Sequence, residues 1–448
     1  MNRRDFVKNS AFAASSIAIL SSGRLSDDTK KARIGFIGTG LRGQSHLDNA
    51  LRRNDVDVVA ICDVDEHMLQ MASDIIKKSG KPMPQIFKGD AYAYRKLLEL
   101  KNLDGVLIAT PWEWHGPMVV DSVQAGIKYV ATEVILGITL EDHWNVVREA
   151  EKQKANVMML ENVCYRRDVA AVLNMARQGL FGELLHLQAG YQHDLRDVKF
   201  NNGTDGGLGV EFGDKGFSEA KWRTNHSVHR NGDLYPTHGI GPVAQLLDIN
   251  HGNRFLSLSS FATKTRGLHK YIVDKAGENH PNAKVEFKLG DIVTTHIKCA
   301  NGETILLQHD TNNPRPYSLG FRVQGTKGIW MDVNKSIYIE GVSAKEDAWE
   351  DAKPYLEKYD HPLWKRWGKD TEGAGHGGMD FFVLHAFVES IKRRTATPMD
   401  VYDAATWSAI TPLSEASIEL GNQTVEFPDF TSGQWMYRKN NFAQTDEF

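Results

Sequence analysis

At 448 residues the chain is longer than one hydrophobic core usually supports, so two packed domains are expected. Hydrophobic residues at 41% and charged residues at 25% are the proportions of an ordinary water-soluble globular protein. Lys and Arg number 53 against 57 Asp and Glu, with no long run of one sign, which excludes a broad basic footprint for nucleic acid and leaves a small molecule or glycan as the expected partner.

In chain order, Arg3, Arg4 and Lys8 precede an apolar run at residues 11–20, which is too short to span a bilayer and has the anatomy of a signal peptide. Arg3-Arg4-Asp5-Phe6-Val7-Lys8 resembles the twin-arginine type, whose route carries proteins already folded. Residues 1–30 are therefore expected to be signal and linker, with the protein exported, to the periplasm, and left with no stable membrane anchor after signal removal. Cys62, Cys164 and Cys299 are odd in number and far apart, which argues against a disulfide framework; their apolar neighbours predict buried thiols.

Residues 31–158 alternate short apolar runs with polar, helix-compatible stretches. Strands are predicted at 34–37, 56–62, 105–109 and 128–132, with a helical stretch beginning at Leu140 and the domain ending near 157–160. Such alternation implies parallel strands joined by crossover helices. Gly38-Thr39-Gly40-Leu41-Arg42-Gly43 lies between the first strand and a helix, and Asp63 closes the next strand twenty residues after Gly43. In that context the glycines read as a dinucleotide cradle: Gly38 for the turn, Gly40 for approach to the pyrophosphate, Gly43 at the helix start, and Asp63 for the adenosine ribose, favouring NAD over NADP. Thr110-Pro111-Trp112-Glu113-Trp114-His115 and Thr132-Glu133-Val134 fall at carboxyl ends of later strands, where open α/β sheets bind ligands.

Beyond residue 158 the punctuation changes. Asn301-Gly302 separates two alternating runs and predicts a hairpin, and Gly325-Thr326-Lys327-Gly328 predicts another turn. The fold class is therefore an α/β Rossmann domain at 31–158 plus an α+β domain at 159–448 with a mostly antiparallel open sheet, whose exposed face would suit a homodimer. Residues 201–216 read as a surface or lid loop. Gly373-Ala374-Gly375-His376-Gly377-Gly378-Met379-Asp380 reads first as a loop and helix start, with His376 a secondary candidate. No dedicated metal motif such as HExxH is present in the sequence.

With these residues in view, the chain resembles the glucose-fructose oxidoreductase and inositol dehydrogenase superfamily. It departs from that superfamily's EKP motif, having Glu133-Val134-Ile135, and Leu234 stands where an aspartate would precede His238. The blocks Glu161-Asn162-Val163-Cys164-Tyr165-Arg166-Arg167-Asp168, Gly190-Tyr191-Gln192-His193-Asp194-Leu195-Arg196, Lys221-Trp222-Arg223-Thr224-Asn225-His226 and Leu234-Tyr235-Pro236-Thr237-His238 more closely resemble glycoside hydrolase family 109.

That resemblance implies an NAD-dependent exo-glycosidase, an α-N-acetylgalactosaminidase above all. Such an enzyme works by transient oxidation at C3, elimination, water addition and re-reduction with a recycled NAD. It also implies cofactor contacts at Leu41, Arg42, Asp63, Trp112, Glu113, Trp114, His115, Glu133 and Asn162. Substrate contacts would fall on Tyr191, Arg223, Tyr235, Thr237, His238 and Tyr317, with Glu161 and His193 near the reacting sugar. Among the catalytic candidates, His238 suits proton removal at the C3 hydroxyl, while Tyr191 or Glu161 would serve C2 or the departing oxygen. The rival readings are an exported sugar oxidoreductase, a glycosidase of the same mechanism acting on another N-acetylhexosaminide, and a catalytically silent sugar-binding or cofactor-binding module, against which the density of Tyr, Arg and His between Tyr191 and His238 argues.

Overall fold

A computed structural model describes residues 31–203 and 209–448. The expected signal segment lies outside the described residues, as does part of the expected lid loop.

Six strands form the first sheet: β1 (Ala32–Ile37), β2 (Val56–Cys62), β3 (Gln85–Phe87), β4 (Gly105–Ile108), β5 (Tyr129–Thr132) and β6 (Asn156–Met159). All pair in parallel, in the order β3-β2-β1-β4-β5-β6. Every residue of β4 and β5 is buried, as expected where helices cover both faces of a parallel sheet. Local signals set the helix ends. Asp65 caps the helix Glu66–Ser79 through the N–H groups of His67 and Met68, and Gly80 ends it at φ 71°. Thr139 and Asp142 form a reciprocal capping box at the start of Leu140–Gln153. The helix Leu41–Arg52 differs: its N-cap is Gly40, which brings no side chain to the first-turn N–H groups.

Nine strands form the second sheet, beginning with β7 (Leu184–Gln192), β8 (Phe255–Ala262), β9 (Ile292–Cys299) and β10 (Thr304–Asp310). It continues with β11 (Arg322–Gly325), β12 (Gly328–Met331), β13 (Ser336–Ile339), β14 (Glu350–Asp351) and β15 (Val425–Glu426). The order is β14-β13-β12-β11-β7-β10-β9-β8-β15, and β7 with β10 is its parallel pair among antiparallel neighbours. The Asn301-Gly302 hairpin joins β9 to β10, with Gly302 at φ 105°, and the Gly325–Gly328 turn joins β11 to β12. The Rossmann sheet and the mostly antiparallel sheet are thus both present.

The carboxyl-terminal chain returns to the first sheet. Phe387 and Ile391 of the helix Met379–Arg393 pack so closely on Gly105 of β4 that a Cβ there would press on them. Met159 N–H donates to Met399 O at 3.0 Å. That return carries Asp380 to the dinucleotide turn. All three cysteines are buried and unpaired. Among the described residues no helix is long and apolar enough to cross a membrane.

Candidate functional site

The carboxyl end of the first sheet and the face of β7 enclose a cavity of about 430 Å³. One wall is the glycine turn. Gly38 has φ +90°, and a Cβ there would run into the Ala109 carbonyl; a Cβ on Gly43 would run into the Gly38 carbonyl. Above Gly40 there is open space, with nothing within 4 Å of where a Cβ would project. Backbone N–H groups at an uncapped helix start, under a residue without a side chain, fit a pyrophosphate. Asp63 borders the same cavity. Its Oδ2 accepts from Thr39 N–H at 2.5 Å and its Oδ1 from Asp65 N–H at 2.9 Å, which fixes the carboxylate beside the turn. These features fit NAD at this site. Trp112, Trp114, His115, Leu41, Arg42, Glu133, Val134 and Asn162 continue the lining.

Beneath the turn lies an ion network drawn from four segments. Arg42 Nε donates to Glu133 Oε1 at 2.6 Å, and its two terminal nitrogens donate to the Asp380 carboxylate at 2.7 and 3.0 Å. Asn162 Nδ2 and His376 Nδ1 also reach Asp380, each at 2.7 Å, and His46 Nε2 reaches Glu133 at 2.6 Å. Burial works against charge on both carboxylates. The Arg42 charge, with the His46 bond at Glu133 and the His376 bond at Asp380, outweighs it and holds both well below the ordinary carboxylate range. Burial, reinforced by Arg42, holds His46 below its ordinary value and keeps that ring neutral. His115 sits between two carbonyls, Ile135 O at 2.6 Å and Thr110 O at 2.7 Å, and so pins the start of its helix to the strand ends.

The opposite wall is aromatic and basic. Tyr191 and Tyr235 lie with ring centroids 4.7 Å apart, and each meets the His238 ring edge-on, at 5.0 and 4.8 Å. His238 Nδ1 faces the Glu161 carboxylate at 2.7 and 3.0 Å. A carboxylate only accepts, so the proton is on Nδ1 and Nε2 is the basic nitrogen. Glu161 has no exposed surface and stands behind His238, its Oε1 also accepting from Val163 N–H at 3.0 Å. It reaches the cavity through the imidazole rather than directly. The Arg223 guanidinium is held over the rings of Trp112 and Tyr235, 5.2 and 5.0 Å from their centroids, and pairs with Glu219. Burial opposes the Arg223 charge, but Glu219 outweighs it and keeps the guanidinium above its ordinary value.

Of the remaining predicted residues, Gly43, Glu113, His193, Thr237 and Tyr317 lie outside the cavity lining. His193 Nδ1 is 3.1 Å from the Tyr191 hydroxyl, and the half-exposed Tyr317 meets the His193 ring edge-on at 4.8 Å. Thr237 is fully buried at the start of the helix Thr237–Leu246. Glu113 lies 3.4 Å from His226. Sequence reasoning missed Asp380, which has no local periodic signal and acts at a distance of 338 positions from Arg42. It also missed Lys221, whose ammonium meets Asp65 at 2.5 Å and ties the second wall to the first.

Comparisons with known proteins agree with this division of labour. Residues 32–161 match a family model described as oxidoreductase family, NAD-binding Rossmann fold, and residues 165–437 match one described as glycosyl hydrolase 109, C-terminal domain. A glycosyl hydrolase family 109 protein of Stenotrophomonas maltophilia is 58% identical, over 99% of this chain and 98% of its own. An alpha-N-acetylgalactosaminidase of Tannerella forsythia is 52% identical, over 92% of this chain and 88% of its own. Levoglucosan dehydrogenase in complex with NADH shares the fold, with a TM-score of 0.65 at 18% identity over 89% of this chain and 100% of that one. A nucleotide cradle and a glycoside hydrolase wall thus face one cavity in a single polypeptide, and the chain belongs to glycosyl hydrolase family 109, an NAD-binding branch of the glycosidases.

Proposed function

We propose that the protein is an exo-acting α-N-acetylgalactosaminidase that keeps one NAD through each catalytic cycle. The observation that carries this reading is the Glu161–His238 dyad, whose imidazole lines the cavity that the glycine turn also lines. When bound, NAD supplies a hydride acceptor and donor for C3 of the sugar, so that oxidation and re-reduction close within one turnover.

His238 Nε2 removes the proton from the C3 hydroxyl while Glu161 balances the imidazolium that forms. Val134, buried and apolar, brings no proton carrier to the cavity, which leaves that task to the dyad. Burial raises the Tyr191 phenol above its ordinary value. Burial lowers His193, helped by Arg223, so a neutral imidazole stands 3.1 Å from the Tyr191 hydroxyl. This pair takes the C2 proton, the phenol passing it to the ring, once a C3 ketone has made C2 acidic. Arg223, always charged, orients hydroxyl or acetamido oxygens. A cofactor that is never exchanged suits a protein exported already folded, and the twin-arginine stretch at Arg3-Arg4 supports that destination.

The test is incubation of purified protein, without added cofactor, with nitrophenyl α-N-acetylgalactosaminide in D₂O. Nitrophenol release with deuterium at C2 of the freed sugar is the expected result. Release without deuterium would replace this route with hydrolysis between two carboxylates. Release from a different epimer or anomer alone would correct the substrate.

A further inference from the structure

A hydride that leaves and returns within one turnover needs a nucleotide that stays bound from one cycle to the next. The glycine turn and Asp63 hold it from the first domain alone. The second domain reaches the same cavity with a strap, residues 217–222, of which Ser218, Glu219, Lys221 and Trp222 share the lining with Asp63 and Asp65. Lys221 Nζ donates to Asp65 Oδ2 at 2.5 Å, and the Phe217 ring meets the His67 ring edge-on at 6.1 Å. Asp65 is the N-cap of the helix Glu66–Ser79 and His67 lies in its first turn. Both contacts therefore fall on the helix that follows Asp63, at the end of the cavity assigned to the adenosine ribose.

The strap is built to hold one shape. Phe217 N–H donates to Asn201 O at 2.7 Å and fixes its root. Gly216 lies so close to the Ala220 carbonyl that a Cβ there would run into it. Ser218–Lys221 is a single 3₁₀ turn, entered at Ser218 with φ 49°. Glu219 turns to the sugar wall and pairs with Arg223, and Trp222 meets Trp112 edge-on at 5.0 Å, which leaves Lys221 to reach the first domain. We propose that Lys221 and Asp65 form a clasp that closes the adenosine end of the cavity and keeps NAD from leaving between turnovers, an inference that rests on the retained cofactor of the function proposed above. Lys221 is a positioning residue in this role. The two side chains are 46% and 21% exposed, so salt screens their attraction.

The test follows release of nucleotide from the NAD-loaded protein, with an excess of a nucleotidase that destroys whatever escapes. Lys221→Met keeps the apolar stem and removes the charge. Asp65→Asn keeps a capping oxygen for the first-turn N–H groups and removes the partner charge. At low salt each should release NAD about threefold to fivefold faster than wild type, the scale of one partly exposed ion pair. Lys221→Arg should behave as wild type, the double variant should be no faster than either single one, and the difference from wild type should close as salt is raised. Release at the wild-type rate in Lys221→Met, additive effects in the double variant, or a difference that salt leaves untouched would each overturn the clasp. So would a lower thermal transition of NAD-free Lys221→Met without faster release, the mark of a merely structural strut. Wild-type protein that loses its NAD on desalting would instead overturn the retained-cofactor reading itself, and the clasp with it.

Discussion

The two walls of the cavity are built on different principles. The cofactor wall is mostly backbone: a turn at Gly38, open space above Gly40, close packing at Gly43, all within six consecutive positions. The sugar wall is all side chain, with Tyr191 from β7 and Arg223 and His238 from two separate helices, and with Glu161 supporting His238 from behind at the far end of the first sheet. A backbone cradle serves a ligand whose phosphate is always the same. A wall of side chains can be exchanged residue by residue, which is how an oxidoreductase fold comes to cleave glycosides.

The strongest way to break this comparison is to remove His238. His238→Ala should lower kcat by about 10³-fold or more, while bound NAD, measured on the released nucleotide, stays at wild-type occupancy. Glu161→Gln should give a smaller fall in kcat with KM unchanged, as expected of a group that orients and balances the imidazole from behind it. Loss of NAD in His238→Ala would mean that the two walls are not separable.

Next in size is the network under the turn. Arg42→Ala leaves Glu133 and Asp380 buried without their cation, and should destabilise the protein by about 3 kcal/mol in denaturant titration. The sign of the pH dependence follows from the depressed carboxylates. In wild type their contribution is present above the ordinary carboxylate values, about 4, and is lost as pH falls below them toward the depressed native ones. Arg42→Ala should flatten that acid-side loss. Equal acid sensitivity in both proteins would remove the network as its source.

How much of each wall could be read from the sequence follows from the same difference. Gly38, Gly40, Gly43 and Asp63 sit at fixed offsets around β1 and β2, so local order alone placed them. The Asn301-Gly302 hairpin was legible for the same reason. The short edge strand β3 was not, because two of its three residues are exposed and no alternation marks it. The pairing of His238 with Glu161, 77 positions apart, and of Arg42 with Asp380 leaves no periodic trace, since a single ion pair repeats nowhere. Resemblance brought Glu161 to notice but not its place behind the imidazole. Asp380 lay in a glycine-rich segment that reads as an ordinary helix start.

The smallest effect sharpens the cofactor wall. Asp63 has two duties that substitution can separate: it holds Thr39 N–H at 2.5 Å, and its carboxylate borders the cavity that would take the dinucleotide, where the sequence pattern assigns it to the adenosine ribose. Asp63→Asn keeps an acceptor for Thr39 but removes the charge that repels a 2′-phosphate. Measured on protein stripped of nucleotide, the ratio of NADP to NAD affinity should rise by about tenfold, the scale of one lost charge repulsion of about 1.4 kcal/mol. The thermal transition of the stripped protein should fall modestly, since the amide oxygen can keep the Thr39 N–H bond while the amide NH2 then faces the Asp65 N–H. An unchanged ratio would make Asp63 a brace for the turn alone. Discrimination between the cofactors would then lie in the side chains around the adenosine end, and the cofactor wall would be built on the same principle as the sugar wall.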